Sequence, residues 1–478
     1  MSLLNSLERG LNTDYTDNGA VSNKTSLSAV LDFFSKAGAL RNNVDEAVKL
    51  FEKAYAEDKQ LAVRALFYLR DIRGGQGERD MFRACFNRLL AIDNRIAYSV
   101  VEHIPTFGRW DEVPINESTV AFIKNQLEQD TENMKQNKSV SLLAKWLPSE
   151  NATSKKSRKD SLKLAELLGV TPRTYRKQIV RLRKHIDLLE QRMSSKEWST
   201  INYENIPSQA HRKHVQAFYR NDEQRYKEYV EAVSKGEKKI NSSTLFTYEI
   251  YDMLNKSGWG MYLDENVANT AQVMWDNLPD YTDGTNALVM ADVSESMSGR
   301  PMSISTSLAV YFAERNKGAF AGYYLTFTDV PTLVKVQGDN IAHKLNYVQH
   351  SNVGYNTNLE GAFVAILNAA VKDNTPKEEM PTVLYIISDM QFDSCMNANE
   401  TLLQSAKRRF NESGYELPHV VFWNVNAGNT SPATIYDNNV TLISGSSQST
   451  FQYAVAGKTP LESMNDILNS ERYSCIKL

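Results

Sequence analysis

Apolar residues in the first half of the chain recur every three to four positions. "LSAVLDFFSKAGAL", "EAVKLFEKAYAED", "LAVRALFYLRDIRG" and "RDMFRACFNRLLAID" each gather theirs on one stripe, which predicts amphipathic helices between about Ser26 and Lys239. Breaks such as "RGGQGERD" and "IPTFGRWDEV" are short. Successive helices are therefore expected as antiparallel neighbours stacked in an α-solenoid, although no fixed-period repeat runs through the sequence. After Gly284 the period changes. "NALVMADV", "FAGYYLTFT", "TVLYIISDM", "HVVFWNV" and "NVTLISG" are short β-rich runs, separated by "MSISTSLAVYFAERN", "NLEGAFVAILNAAVKD" and "ETLLQSAKRRFNE", which have helical spacing. Strands alternating with helices predict right-handed crossovers and a mostly parallel sheet covered on both faces. Two units follow, 1–283 and 284–478.

The stretch joining them, "KINSSTLFTYEIYDMLNKSGWG", is too apolar for a free linker: Leu245, Phe246, Tyr248, Ile250, Tyr251, Leu254 and Trp259 need burial. The helical half is expected to curve until the chain ends approach and the second half spans or closes the opening.

Open parallel sheets take ligands beyond the carboxyl ends of their strands. The run "ALVMADVSESMSG" passes there from apolar residues into Asp292, Ser294, Glu295 and Ser296. A desolvated carboxylate is costly unless something pairs with it. Asp292, Ser294 and Ser296, spaced D-x-S-x-S, can turn three oxygens toward one point, although such a triplet also serves as a turn or helix cap. Thr357 in "VGYNTNLEG", just before a helix, and Asp389 at the end of "LYIISDMQFD" add to the set. Hydroxyls with one or two carboxylates suit a hard divalent cation such as Mg²⁺. Asp393 is expected to be a loop or helix-cap residue.

Asp-x-Ser-x-Ser, then Thr, then Asp, on alternating strands and helices, resembles the von Willebrand factor A domain with its metal-ion-dependent adhesion site. That resemblance implies a Rossmann-like domain over 284–478, with Asp292, Ser294, Ser296, Thr357 and Asp389 as metal residues and a possible acidic protein ligand. Glu295, at a position where glycine is frequent, is expected to point away. A helical array followed by such a domain resembles the Ro ribonucleoproteins built on the TROVE module. The nearer likeness is to an uncharacterised viral, bacterial and plant branch, carried by "YLRDIRGGQGERDMFR", "GRWDEV", "LLAKWLPSENA", "TYRKQIVRLRKHIDLLEQRM", "IPSQAHRKHVQAFYRND", "SDMQFD" and "VVFWNVN". It implies a HEAT-like helical ring or horseshoe over 1–283, closed by the A domain, that binds small noncoding RNA.

Charge sharpens the RNA expectation. The 478 residues carry a net charge of only −3, with 42% hydrophobic and 23% charged residues, an ordinary globular composition. Lys138 to Lys239, however, hold 23 Lys and Arg against 12 Asp and Glu, a net +11, which leaves −14 for the remainder. Such asymmetry points to a polyanionic partner. In "RTYRKQIVRLRKHIDLLEQ", Tyr175, Ile179, Leu182, Ile186 and Leu189 share one helical face, while Arg173, Arg176, Lys177, Arg181, Arg183 and Lys184 share the other. Upstream, "SKKSRKD" offers Lys155, Lys156, Arg158 and Lys159 in an expected loop. Downstream, His211, Arg212, Lys213 and His214 interleave with Phe218 and Tyr219, which would stack bases. These cations are the candidate RNA-binding residues. A solvated helix face is the competing reading for any one of them.

Other signals exclude more than they suggest. "RGGQGERD" lacks the lysine and hydroxyl of a phosphate loop and reads as a helix C-cap and turn. The three cysteines, Cys85, Cys395 and Cys475, form neither a disulfide framework nor a zinc motif. His103, His343, His350 and His419 stand apart. No run is long enough to cross a bilayer, and the start lacks the features of a signal peptide, so a cytoplasmic protein is expected. Without hydrolase, zincin or kinase signatures, the expectation is a noncatalytic RNA-binding protein without DNA specificity. The rival expectation is a protein-interaction adaptor.

Overall fold

The computed structural model describes residues 7, 10–255, 264–282, 286–328, 330–351, 356–394, 400–453 and 457–478. Trp259, Cys395 and the 283/284 junction lie outside them. The N-terminal part is helical, and the C-terminal part is built on a mostly parallel sheet, as the change of period predicts. Helices Ala29–Lys36, Val44–Glu57 and Lys59–Arg70 start at Ser28, Asn43 and Asp58, whose side chains accept the free amide of the first turn. Each buries its apolar stripe on its neighbours.

Two features of the first half were not anticipated. A hairpin of β1 (Thr13–Tyr15) and β2 (Val21–Asn23) precedes the first helix. Lys155–Leu167 is a helix capped by Ser154, not a loop: its apolar positions, Leu164 and Ala165, lie beyond the run of cations that obscures the pattern.

The large sheet has six strands: β3 (Ala287–Ala291), β4 (Tyr323–Thr326), β5 (Thr332–Lys335), β6 (Val383–Ser388), β7 (His419–Asn424) and β8 (Val440–Ser444), in the order β5-β4-β3-β6-β7-β8. All neighbours are parallel except β4 and β5. β5 escaped the sequence reading because its side chains, Val334 excepted, face solvent at the sheet edge and leave no apolar run. From β3 the chain crosses to β4 on one side and then returns to β6 on the other. The order therefore reverses between β3 and β6, which opens a crevice at their carboxyl ends.

The sheet domain grips both ends of the helical array. At the near end Gln76 donates to Ser444 Oγ (3.0 Å), and Arg64 and Gln60 both donate to Ile476 O. Buried Asp71 accepts from Arg472 and, at 3.0 Å, from Tyr473 Oη. At the far end Ser307 donates to Thr247 (2.9 Å), Gln448 to Leu245 O (2.8 Å) and Arg315 to Trp275 O (2.9 Å). Leu245, Phe246, Ile250, Tyr251 and Leu254 of the connecting stretch are buried, in keeping with their apolar character.

Close packing also accounts for "RGGQG". A Cβ on Gly75 would lie 2.1 Å from Tyr68 O, and Gly77 combines a φ of +71° with the ring of Phe246 at 2.6 Å from any Cβ. Both of these contacts lie within the helical part, while Gly74 faces the sheet domain, where a Cβ would lie 2.8 Å from Arg472 Nε.

Candidate functional site

The crevice at the ends of β3 and β6 collects the oxygen-bearing residues. Asp292 follows β3 directly and is buried. Its Oδ1 accepts from the backbone N–H (3.0 Å) and hydroxyl (2.6 Å) of Ser294, and its Oδ2 from the hydroxyl of Ser388 (2.6 Å). Ser294 Oγ lies 3.1 Å from Ser296 Oγ, and Ser296 in turn bonds Asp389. Asp389 Oδ1 also accepts from the amide of Gln391 at 3.1 Å. Asp292, Ser294, Ser296 and Asp389 thus form one network. Glu295 is exposed at the start of a short 3-10 turn, Glu295–Met297.

Thr357 is buried and is tied by its backbone to Asp393, four residues beyond Asp389. Its N–H donates to Asp393 Oδ2 (2.9 Å), and its C=O accepts from the Asp393 amide (3.1 Å). Asp393 is therefore the clip that holds the Thr357 loop to the Asp389 loop. Sequence reasoning passed over this role and missed Ser388 altogether. The "SD" pair ending "LYIISD" carried a signal for Ser388, since the last inward position of a buried strand rarely holds a hydroxyl without a partner.

Burial governs the electrostatics of the network. Burial, and after it the nearby Asp389 carboxylate, push the Asp292 carboxyl up to about 6. Burial also raises Asp389. Two buried carboxyls that resist sharing negative charge, ringed by hydroxyls, make an all-oxygen donor set suited to a hard divalent ion, whose charge would reverse both shifts. Among the described residues no group of three or more His, Cys, Asp or Glu is placed to hold a metal ion.

The basic candidates divide into three groups. Helix Pro172–Ile186, opened by Thr171 and Pro172, buries Tyr175, Ile179 and Leu182 and exposes Arg173, Arg176, Lys177, Arg181 and Lys184. Only Arg176 of these five lies within ion-pair reach of a carboxylate among the described residues, at 3.7 Å from Glu150. Lys155, Lys156, Arg158 and Lys159 are exposed on the first turns of the adjoining helix.

Arg183 departs from its expected place. Its guanidinium turns inward and donates to Ala144 O and Leu147 O, both at 2.8 Å, so it ties helices together and does not face a ligand.

The third group is corrected more strongly. His211 is 0% exposed, its Nε2 is 2.7 Å from Tyr226 Oη, and burial drives its imidazole down to about 3. It is a neutral core residue. Phe218, packed against Tyr203, Tyr226 and His211, is also 0% exposed and presents no face to a base. Tyr219 is half-buried with its hydroxyl 3.1 Å from Thr270.

Arg212, Lys213 and His214 line a cleft of about 900 Å³ that runs from the helical array to Arg300 of the sheet domain. Carboxylates already match much of its positive charge: Arg212 meets Glu249 at 3.3 Å, Lys145 meets Glu190 at 3.2 Å, and Arg41 meets Glu78. Arg109 stacks on Trp146 at 3.9 Å.

The chain thus combines a helical array with an open parallel sheet domain that holds an acid–hydroxyl cluster at its topological switch point. Comparison with known proteins gives families without an assigned role. Residues 286–472 match the domain of unknown function DUF7788, and residues 16–94 and 150–280 match the domain of unknown function DUF2828. The chain is 28% identical to "Uncharacterized protein L728" of Acanthamoeba polyphaga mimivirus, over 90% of this chain and 82% of that protein. The crystal structure of the Deinococcus radiodurans Ro (RSR) protein aligns over 90% of this chain and 92% of that one, at 10% identity and a TM-score of 0.38. A likeness that slight carries no functional argument.

Proposed function

We propose that this chain is a noncatalytic RNA-binding protein. It holds the RNA backbone on the outer face formed by the helices Lys155–Leu167 and Pro172–Ile186, and its sheet domain carries a divalent-cation site for a partner. The observation behind this reading is the stripe of Arg173, Arg176, Lys177, Arg181 and Lys184. It stays exposed on a helix already anchored by its opposite face, with almost no internal carboxylate to neutralise it. Exposed cations spaced along one face attract phosphates and release counterions. With no exposed aromatic among them, they read backbone and not sequence.

In the sheet domain, Asp292, Ser294, Ser296, Thr357 and Asp389 are the residues that would hold Mg²⁺ in the manner of a metal-ion-dependent adhesion site. A bound ion would supply an electrophilic centre for an oxygen ligand from outside, such as an acidic side chain. Hydroxyl-rich sites position such a ligand better than they activate water, which favours recruitment over catalysis. A cytoplasmic setting fits a chain without disulfide or zinc motifs.

The test is a salt titration of RNA binding. Replacing Arg176, Lys177, Arg181 and Lys184 together by Gln should lower the log–log salt slope by roughly three to four units, for structured and single-stranded RNA alike. A variant that binds small structured RNA as tightly as the parent across the titration overturns the reading. The adaptor, with the basic face turned to protein, would then take its place.

A further inference from the structure

Two residues beside the candidate cation site each face two ways. Gln391 donates its amide to Asp389 Oδ1 (3.1 Å). Its side-chain oxygen accepts from the Asp17 N–H (2.7 Å), and its carbonyl accepts from Asn18 Nδ2 (2.8 Å). Asp393 holds Thr357 through Oδ2 and also pairs with Gly19 in a backbone bridge. Between them, Phe392 O accepts from buried Thr16 Oγ1 at 2.7 Å. Asp17, Asn18 and Gly19 form the turn of the β1–β2 hairpin, more than 370 residues away in sequence from the loop they grip. The hairpin is fastened at its other end as well, where the Asn23 amide donates to Ser431 O at 3.1 Å.

The gripped loop is not a regular element and needs outside anchors. Met390 sits at φ +65°, a conformation a non-glycine residue keeps only when its surroundings enforce it. Asp389 and Thr357 come from different loops, and the hairpin touches the residue that orients each. We propose that this N-terminal hairpin is the positioning element of the cation site, so that hairpin docking and cation binding stabilise one another. The proposal rests on the cation reading given above. Linkage then requires reciprocity: what loosens the hairpin weakens the cation, and the cation tightens the hairpin by the same factor.

The experiment is a calorimetric titration with Mg²⁺ of the full chain and of the double variant Thr16→Val, Asn18→Ala. The first change removes the hydroxyl donated to Phe392 O, and the second removes the amide donated to Gln391 O. The expected result is a loss of Mg²⁺ affinity on the order of tenfold, within the usual range of coupling between sites. Tyr15→Ala, at an exposed position of the same hairpin, should leave the affinity unchanged. A second measurement needs no variant: in the parent, Mg²⁺ should slow hydrogen exchange at the amides of Ala20 and Asn23. Equal affinity in parent and double variant, or unchanged exchange at those amides when Mg²⁺ binds, overturns the coupling and leaves the cation site standing. A parent that takes up no Mg²⁺ defeats the cation reading itself, and the coupling with it.

Discussion

Helix Pro172–Ile186 and the first half of helix Ser208–Ser234 look alike as sequence, since both are rich in Lys, Arg and His with aromatic residues interleaved. In the fold they part. The first lies at the rim, packs on one side only and turns its cations outward. The second runs between helix Glu265–Asp276 and the turns at Trp198–Asn205, so it buries His211, Val215, Phe218 and Tyr226 together. What the buried band contains separates them. In the first helix the cations other than Arg183 stand off the band of Tyr175, Ile179 and Leu182, whereas in the second His211 and Phe218 share the buried band with Val215. A count of basic residues does not show that His211 lies in the core.

The largest effect that sharpens this contrast comes from Phe218. Phe218→Ala opens a cavity among Tyr203, His211 and Tyr226 and should cost about 3–5 kcal/mol in denaturant unfolding. RNA affinity per folded molecule should stay unchanged. Selective loss of single-stranded RNA binding without loss of stability would instead return Phe218 to the surface and erase the contrast.

His211 gives the next effect, and it depends on pH. The imidazole is held near 3 by burial, against about 6.5 when unfolded, so only the unfolded chain takes up the proton as pH falls below 6.5. Stability present at pH 7 is therefore lost on acidification, by about 1 kcal/mol at pH 5.5 and about 3 kcal/mol by pH 4. Asp292 titrates the other way: its carboxyl is pushed up to about 6, so protonation there favours the folded state over the same range. The measurement that isolates the histidine is the difference in unfolding free energy between parent and His211→Gln. That difference should shrink as pH falls. A difference constant from pH 7 to 4.5 would show a solvated imidazole.

The architecture was largely legible because periodicity survives without coordinates. The helical first half and β3, β4, β6, β7 and β8 all carry uninterrupted apolar patterns. What stayed hidden carries none: β5 at the sheet edge, the three-residue strands of the hairpin, and the helix Lys155–Leu167 under its run of cations. At the acidic site the sequence led to Asp292, Ser294, Ser296 and Asp389, since each stands at or just past a strand end. It passed over Gln391 and read Asp393 only as a loop or helix-cap residue, because their importance lies in a contact with residues 16–19, and no local pattern encodes a partner so far away in the chain.

Arg183 sharpens the comparison from within the outer helix. Its guanidinium bonds two carbonyls, and Gln is too short to satisfy both. Arg183→Gln should cost about 1–3 kcal/mol, the usual penalty for leaving buried polar groups without partners. Its neighbour Lys184 is exposed, and Lys184→Gln should stay within about 0.5 kcal/mol of the parent. Urea titrations of the two single variants make the test. Equal costs would mean that both side chains point the same way.

The smallest expected effect is the stability of the quadruple Gln variant, and the RNA experiment depends on it. Gln is nearly as good a helix former as Lys or Arg, and none of the four side chains belongs to the packed face of Tyr175, Ile179 and Leu182. The Arg176–Glu150 pair is separated by 3.7 Å with side chains 44% and 36% exposed, a geometry worth little in water. Lys184 sits in the last turn, where a cation meets the free carbonyl end of the helix, but on so exposed a side chain its loss stays within about 0.5 kcal/mol. The four changes together should therefore destabilise the protein by about 1 kcal/mol, read as a small shift in denaturant midpoint with the slope unchanged. At that cost the variant stays folded, and a fall in salt-dependent RNA binding reports lost phosphate contacts. A cost above about 3 kcal/mol would instead make the stripe part of the scaffold, and the outer helix would then resemble the inner one.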